Sequence, residues 1–316
     1  MKKRIVLAMG MHRSGTSLLA GLLERIGIDL GQNLVNADHN NESGYFENLP
    51  IVRIHRDLLI HMDRRLTGET GTLPYPEGWW QTPFAKSAAA ELTDIVRRNL
   101  VRTNSIWGFK DPRVSRLLPL WNTIFEHEDL DPTLILSVRH PDAVAESLFR
   151  RDGLERAHAH LLWFTHNLEA LSEARKRGVV VVTYDRWFKD LDRQTEQLAA
   201  ALDGTGVSGS GHLLDAAREF VRKDLRHHTP DRPIANGLVR KAYELLTAAA
   251  IDGNIDDDLW SLVDEFLQGR DLFGPWSSFL EAHSAERQQI QDSTPDLSGS
   301  WPQRLRDSFS GLLRKA

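Results

Sequence analysis

The sequence predicts a three-layer α/β/α fold with a central parallel sheet and a largely helical insertion. Short apolar runs at residues 4–8, 133–138 and 179–183 have the composition of strands that are buried on both faces. Amphipathic helical patterns alternate with these runs, and such alternation is typical of parallel sheets covered by helices on both faces. The chain is 41% hydrophobic and 26% charged, which is an ordinary composition for a globular protein.

The first predicted strand leads into the loop MGMHRSGTS and then into a helix. Residues 16–27 place leucine and isoleucine at helical spacing and end at Gly27, a typical residue for a helix C-terminus. Gly10 and Gly15 have the spacing of the Walker A motif, but Thr16 occupies the position of its lysine. Strand, glycine loop and helix in this order predict an anion-binding loop and a P-loop NTPase-like fold.

The residues of this loop favour a smaller anion over a nucleoside triphosphate. The N–H groups of a glycine loop and the N-terminus of the following helix form a concave anion site. Thr16 and Ser17 add hydroxyl donors to it. The missing lysine normally serves the β- and γ-phosphates of a triphosphate. Arg13 instead offers a planar guanidinium that can bind two oxygens of a smaller anion.

The later predicted strands also end in charged segments. A weaker strand over 105–110 leads into DPR, the strand over 133–138 into RHP, and the strand over 179–183 into YDR. Helical patterns follow, for example over 143–149 and 194–202. Because ligands of open parallel sheets bind beyond the carboxyl ends of the strands, we expect these segments and the glycine loop to form one site.

Two regions lie outside this alternation. Residues 33–102 are polar at first and then helical, and they are predicted to form an insertion above the sheet. We expect one α/β domain over residues 1–285, followed over 286–316 by a linker and an amphipathic helix. The apolar side chains of that helix and the basic ones that flank them are Trp301, Leu305, Phe309, Leu312 and Leu313, with Arg304, Arg306, Arg314 and Lys315.

Charge and composition exclude several classes of protein. The formal net charge is −5, which argues against a nucleic-acid binder because such proteins need a basic surface. The chain has no cysteine, so disulfides, thiolate metal sites and a cysteine nucleophile are excluded. The N-terminal apolar run is too short for a signal peptide, and no stretch approaches the roughly 20 apolar residues of a membrane-spanning helix. We therefore expect a cytoplasmic protein.

The loop GMHRSGTS resembles the 5′-phosphosulfate-binding loop of sulfotransferases that use 3′-phosphoadenylyl sulfate (PAPS). At Arg13 the chain resembles bacterial and Golgi-type members of the family, which carry arginine where cytosolic members carry lysine. The family has a second motif, an arginine at a strand end and a serine eight residues on, and RHPDAVAES supplies Arg139 and Ser147 at that separation. Pro141 suits the first position of a helix, which places Ser147 on the second turn. The resemblance covers about residues 2–187.

This resemblance implies transfer of the sulfuryl group from PAPS, the co-substrate, to an acceptor hydroxyl without a metal. Arg13 would be catalytic by stabilising the charge that builds on the leaving phosphate. Tyr184 would lie near the adenine, and a tyrosine of the core is the alternative. The donor-binding residues implied by the resemblance are His12, Arg13, Ser14, Gly15, Thr16, Ser17, Arg139, Ser147 and Tyr184.

The acceptor hydroxyl needs a general base. Glu47 in SGYFEN is the favoured candidate, because bacterial relatives often carry an aromatic–Glu pair after the polar loop. His55 and His61 are its rivals. The charged segment KDPR, residues 110–113, is expected either to line the sulfate or acceptor site or to tie down the insertion.

One family feature is missing, and the acceptor is predicted only as a class. The basic glycine motif near the C-terminus of cytosolic members is not found, and the nearest basic stretch contains Arg226, His227 and His228. Trp79 and Trp80 offer aromatic faces to a sugar, with anchoring of their own loop as the alternative. The expected acceptor is a carbohydrate or a glycolipid.

The C-terminal helix could contact the inner membrane surface, which would suit a lipid-linked acceptor, and packing on its own domain is the alternative. Two other functions stay open. A P-loop kinase or NTPase with an aberrant Walker A loop should carry the lysine and a Mg²⁺-holding aspartate after a strand. A non-catalytic nucleotide- or glycan-binding protein would keep both arginines without turnover.

Overall fold

The computed structural model describes residues 3–37, 44–62, 75–103, 106–203, 205, 210–221 and 233–269. All of them belong to the compact unit Met1–Asp271. Within these residues four strands form one parallel sheet in the order β2-β1-β3-β4. The strands are β1 Lys3–Met9, β2 Trp107–Lys110, β3 Leu130–Val138 and β4 Val180–Thr183.

Helices precede and follow the strands in the predicted alternation. In the described part of the chain they are α1 Thr16–Arg25, α2 Leu49–Met62, α3 Pro83–Arg102, α4 Val114–His127, α5 Pro141–Asp152, α6 Arg156–Ala174, α7 Arg186–Lys189, α8 Leu191–Ala201, α9 Ser210–Phe220, α10 Gly237–Asp252 and α11 257–269. A short 3₁₀ helix spans Trp79–Gln81.

The side chains of β1 alternate between two separate hydrophobic clusters. Ile5 and Leu7 belong to the cluster that also contains buried residues of α3, α4, α6 and α10. Val6 and Ala8 belong to the cluster that contains buried residues of α1 and α8. Because successive side chains of a strand point to opposite faces, the sheet is covered on both sides. This arrangement confirms the predicted three-layer α/β/α fold.

The strand order places a crevice at the carboxyl ends of β1 and β3. After β1 the chain forms β2 on one side of it, and β3 then pairs with the other side of β1. Ligands of open parallel sheets bind at such a switch point. The loop after β1 and the segment after β3 therefore face a common space, as the sequence predicted.

Several element boundaries differ from the predicted ones, and two of the differences have a local explanation. β3 begins at Leu130 rather than at residue 133, because Leu130 and Pro132 lie in register with β1, although a proline cannot donate a ladder hydrogen bond. Helix α1 ends at Arg25, and Gly27 follows its cap with φ +98°, a conformation that favours glycine. The predicted strand start at residue 105 lies outside the described residues.

The predicted insertion contains α2 and α3, which pack against each other. Thr82 caps α3 by accepting a hydrogen bond from the Ala85 N–H, and Pro83 occupies the first turn. Trp79 is buried in the core and Trp80 packs against it, so both anchor their loop. The suggested contact of these rings with a sugar stays a prediction.

No helix in the described ranges is long and apolar enough to cross a membrane. The predicted amphipathic helix, the stretch with Arg226, His227 and His228, and the predicted domain boundary at residue 285 all lie outside the described residues. Those interpretations stay predictions.

Candidate functional site

Two glycines let the loop after β1 lie against its neighbours. Gly10 has φ +144°, and a Cβ atom there would lie 2.3 Å from the Ser137 carbonyl oxygen on β3. Gly15 has φ +86°, and its Cβ would lie 2.4 Å from Cδ2 of Tyr184. The Gly10 N–H donates to the Ser115 hydroxyl at 3.1 Å. Larger residues fit at neither position, so the two glycines are required for the close approach of the backbone.

The middle of the loop is held by side chains from the end of β3. Arg13 has φ +68°, an uncommon conformation for a residue with a Cβ. The Ser137 hydroxyl donates to the Ser14 carbonyl at 2.8 Å, and Arg139 Nη1 donates to the Arg13 carbonyl at 3.2 Å. The Ser14 N–H closes a turn on the Met11 carbonyl. These hydrogen bonds stabilise the uncommon conformation of Arg13, as expected for strained backbone at a functional site.

Arg13 links the two anion-binding motifs that the sequence predicted. Its Nε donates to the Ser147 hydroxyl on α5 at 2.7 Å. Burial lowers the pKa of Arg13, and the charges of Arg151 and Arg139 lower it further. The resemblance had placed Arg13 and Ser147 at two different phosphates. The structure brings them into direct contact, so the two motifs form one continuous cationic region.

Tyr184 lies beneath this region. Its ring centroid is 4.4 Å from the guanidinium carbon of Arg139, and its buried ring also blocks the space beside Gly15. Phe188 packs against it with the ring centroids 5.1 Å apart. Tyr184 therefore supports both the glycine loop and Arg139. Its suggested proximity to an adenine stays a prediction.

Glu47 lies between two buried cations. Lys110 Nζ donates to Glu47 Oε1 at 2.6 Å, and Arg113 Nη1 donates to Oε2 at 3.2 Å. Lys110 Nζ also contacts the Tyr45 carbonyl at 3.1 Å and the Ser17 hydroxyl at 3.4 Å. The ammonium of Lys110 thus joins the end of β2, the glycine-loop helix and the segment before α2. This geometry ties the insertion down at the strand end, one of the two roles expected for KDPR.

Asp111 extends this network into the core. It accepts hydrogen bonds from His55 Nδ1 at 2.8 Å and from Arg113 Nη1 at 2.8 Å. His55 Nε2 accepts from the Trp121 indole N–H at 2.9 Å, so the hydrogen of His55 is on Nδ1. Burial alone would raise the pKa of the Asp111 carboxyl. The charge of Arg113 and the hydrogen bonds from His55 and Arg113 outweigh it and hold the pKa well below its usual range.

Both ring nitrogens of His55 are therefore engaged, and its ring is fully buried. In this arrangement His55 orients Asp111 and has no nitrogen left for an acceptor proton. His61, the other rival of Glu47, stacks on Phe84 with the ring centroids 3.8 Å apart. Glu47 stays the favoured base, as a prediction.

Two polar side chains of the loop have no partner among the described residues. His12 Nε2 and the Ser14 hydroxyl are both buried without a hydrogen bond. Burial, followed by the charges of Arg113 and Arg151, lowers the pKa of His12 well below its usual value, so its ring is neutral at pH 7. Buried polar atoms without partners are uncommon and need an explanation. Neither atom is exposed to solvent, so a bound anion would supply their acceptors only after a shift of the loop.

The buried histidines predict a loss of stability in mild acid. Burial also lowers the pKa of His166, whose ring is edge-on to that of His12. Below pH about 6.5 the unfolded chain binds protons that the folded protein excludes, so stability falls as the pH decreases, by up to about 1.4 kcal/mol per pH unit for each group. We expect urea unfolding at pH 7 and pH 5.5 to show this loss, and a His12→Gln/His166→Gln variant to lose less. His212→Gln, at an exposed position, is the control. If the double variant lost as much stability between pH 7 and pH 5.5 as the wild type, His12 and His166 would not be the cause of the loss.

Sequence reasoning missed Ser115, Ser137 and Arg151 at this site. The two serines belong to an α4 helix and a β3 strand with ordinary patterns, and only the folded chain shows that they bond to the loop. Arg151 had a usable signal, because it lies four residues after Ser147 on a predicted helix.

No group of three or more histidine, aspartate or glutamate side chains within the described residues is arranged to hold a metal ion. The prediction of a reaction without a metal stays a prediction.

No family model and no curated protein matches the chain. Among solved structures, it is similar to a sulfotransferase domain from the Synechococcus PCC 7002 olefin synthase, with 19% identity and a TM-score of 0.39, over 84% of this chain and 96% of that domain. It is also similar to a sulfotransferase domain from the curacin biosynthetic pathway, with 13% identity and a TM-score of 0.39, over 84% of this chain and 98% of that domain. Both TM-scores are low, so the function proposed for this chain rests on the geometry of its own site.

Proposed function

We propose that this protein is a sulfotransferase that moves the sulfuryl group of PAPS to an acceptor hydroxyl. The observation that carries the proposal is the contact between Arg13 and Ser147, 2.7 Å apart and 134 residues apart in the chain. It brings an anion-binding loop without a Walker lysine next to a second motif made of Arg139 and Ser147. A donor with a 5′-phosphosulfate and a separate 3′-phosphate needs two such sets of cations side by side.

The residues of the loop fit the phosphosulfate end of this donor. Gly10 and Gly15 let the loop lie close against β3 and Tyr184, and the N-terminus of α1 adds its partial positive charge. Thr16 and Ser17 begin that helix with hydroxyl groups, and Ser14 has an unpartnered one. These groups would bind the non-bridging oxygens, and Arg13 would stabilise the charge on the oxygen that links phosphorus to sulfur.

Arg139 and Ser147 fit the 3′-phosphate. Arg139 lies at the end of β3 and is fixed by its contact with the Arg13 carbonyl and by the ring of Tyr184. Burial lowers the pKa of Arg139 because it disfavours the charged form. A phosphate bound beside Arg139 would stabilise that charged form. Pro141 begins α5, as the sequence predicted, and so places Ser147 on the side facing the loop.

In the proposed reaction the acceptor oxygen forms a bond to sulfur while the bond from sulfur to the bridging oxygen breaks. Adenosine 3′,5′-bisphosphate leaves with the electron pair, and the proton of the acceptor hydroxyl passes to the general base. Glu47 is our proposed base. Both of its oxygens accept from Lys110 and Arg113, so taking the proton would weaken these ion pairs. The ammonium of Lys110 would then turn toward the donor from beside Ser17.

The narrower proposal is a carbohydrate or glycolipid acceptor and a cytoplasmic enzyme that could contact the inner membrane surface. It is supported by the position of Trp80 on the insertion, partly buried against the core, and by the amphipathic pattern over residues 301–313. If the acceptor hydroxyl belonged to another class of molecule, the proposed PAPS-binding site would be the same.

The kinase alternative has one supporting contact. Lys110 lies 3.4 Å from the Ser17 hydroxyl and could replace the lysine of the Walker A motif. Its weak point is the aspartate that should hold Mg²⁺. Both carboxylate oxygens of Asp111 already accept hydrogen bonds, from Arg113 and His55. The geometry therefore favours a donor that needs no metal.

Calorimetric titration tests the donor site. We expect the wild type to bind adenosine 3′,5′-bisphosphate without metal, and Arg139→Ala to weaken that binding by about 10- to 150-fold, since a hydrogen bond to a charged group contributes about 1.5–3 kcal/mol. Arg150→Ala is the matched control, because Arg150 lies on the same helix, is exposed and pairs with Glu146. Preference for ATP-Mg²⁺, or equal binding by Arg139→Ala, would favour the kinase alternative.

A further inference from the structure

Helix α5 adds Arg151 to the two arginines of the candidate site, Arg13 and Arg139. Arg151 follows Ser147 by four residues, so the two side chains lie on the same side of the helix. Ser147 is bonded to Arg13, and this contact fixes that side of α5 toward the loop. The side chain of Arg151 is 25% exposed, whereas that of the neighbouring Arg150 is 56% exposed.

The guanidinium of Arg151 is only partly engaged. All of its hydrogen bonds go to the adjacent carboxylate of Asp152, through Nε and Nη2 at 2.7–2.9 Å. Its Nη1 makes no hydrogen bond to any described residue. Arg151 can therefore bind a further anion through its outer edge without leaving Asp152.

The charge of Arg151 acts on the loop. Besides burial, it is the largest influence that lowers the pKa of Arg13, ahead of the charge of Arg139. It also lowers the pKa of His12. Asp152 offsets this influence at Arg13 only in part. In a partly buried site charges are weakly screened, so the loop carries an excess of positive charge on the α5 side.

His12 provides a second and independent observation. Its side chain is 7% exposed, and its Nε2 has no hydrogen-bond partner among the described residues. An anionic oxygen would be stabilised beside this nitrogen. It would accept a hydrogen bond from the imidazole ring, and its charge would balance that of Arg151.

We propose that His12 and Arg151 bind the sulfuryl group of the donor. This inference rests on the proposed function. It adds Arg151, which lies outside the two anion-binding motifs, and gives His12 of the glycine loop a specific role. The sulfuryl group is favoured over the 3′-phosphate for two reasons. Ser147, one helical turn before Arg151, is bonded to Arg13 of the glycine loop, and the charge of Arg151 acts on Arg13 and His12 of that loop. Arg151 supplies the charge, and the neutral ring of His12 supplies a directed N–H.

The test compares two nucleotides that differ only in the sulfuryl group. Wild type, Arg151→Ala and His12→Gln are titrated with PAPS and with adenosine 3′,5′-bisphosphate. We expect each substitution to weaken PAPS binding by about tenfold, which corresponds to about 1.4 kcal/mol, and to change bisphosphate binding by less than about twofold. Arg151→Lys should recover part of the loss because it keeps the charge. Arg150→Ala is the control and should bind both nucleotides like the wild type.

The slow hydrolysis of PAPS without an acceptor gives a second readout. There a water oxygen bonds to sulfur, the bond to the bridging oxygen breaks, and the products are adenosine 3′,5′-bisphosphate, sulfate and a proton. We expect this rate, measured at saturating PAPS, to decrease in Arg151→Ala and to stay unchanged in Arg150→Ala. Thermal melting of each variant confirms that it is folded.

Two results would overturn the inference while leaving the proposed function standing. The first is an equal loss of PAPS and bisphosphate binding, which would place Arg151 at a phosphate. The second is wild-type behaviour of both variants with both nucleotides. If the wild type itself bound neither nucleotide, the proposed function would fail, and this inference with it.

Discussion

Gly10→Ala is expected to destabilise the protein by about 3–5 kcal/mol and to abolish nucleotide binding, the largest effect of any single methyl group at this site. The added Cβ would lie 2.3 Å from the Ser137 carbonyl oxygen, closer than the 3.0 Å below which real Cβ atoms essentially never approach another atom. That oxygen belongs to the backbone of β3, which pairs with β1 and β4, so it cannot move aside as a flexible side chain would. The loop must shift instead.

Gly27→Ala is the matched control for this substitution. Gly27 also has a positive φ, +98°, but an added Cβ there would meet nothing within 4 Å. We expect it to cost only the backbone strain, about 1–2 kcal/mol, and to leave nucleotide binding intact. Urea unfolding and titration with adenosine 3′,5′-bisphosphate measure both quantities. Similar stability and binding in the two variants would show that the loop does not need its close approach to β3.

Asp111→Ala is expected to have the second largest effect, a loss of about 3–5 kcal/mol in the free energy of unfolding. The substitution removes the acceptor of three buried donors: the Arg113 guanidinium, the Arg113 backbone N–H and His55 Nδ1–H. Breaking a buried pair from one side is costly because the Arg113 guanidinium stays out of water after it has lost one of its carboxylate partners. Arg113 also holds Glu47, so we expect the proposed sulfuryl transfer to slow in the folded fraction as well.

Asp264→Ala provides the comparison on the surface. Asp264 pairs with Arg175 at 2.7 Å, but both side chains are more than 40% exposed, and such pairs contribute about 0–1 kcal/mol. A cost of Asp111→Ala as small as that of Asp264→Ala would show that the network of Lys110, Glu47 and Arg113 does not depend on Asp111. Chemical unfolding of both variants at pH 7 decides the question.

The same network should respond to acid in a defined direction. The folded pKa of Asp111 is held below its unfolded value of about 3.9, so its contribution to stability is present above that pH and is lost as the pH falls below it. Asp111→Ala should lack this component of the acid transition. The loss of stability caused by His12 and His166 occurs at higher pH, so it can be measured separately from the contribution of Asp111.

The sequence alone was sufficient for the strands, for the glycine loop and for the edge of the sheet at which the charged segments meet. A strand buried on both faces must be apolar throughout, and a loop with positive φ values needs glycine, so residues 4–8, Gly10 and Gly15 carry their structure locally. Parallel strands end at one edge of the sheet, and this rule predicts from the sequence that Arg139 and the KDPR segment lie near the loop.

Only the tertiary structure decided which side chains touch. Arg13 bonds to Ser147 across 134 residues of sequence, and Glu47 meets Lys110 across 63. No local pattern encodes such pairs, because they depend on the turns, crossovers and helix rotations that bring distant segments together. The sequence therefore determined the glycine loop at the end of β1 and predicted an anion-binding site there. The packing of α5 and of the insertion against that edge decided that Arg13 and Arg139 form one cationic region and that the predicted base is held between two cations.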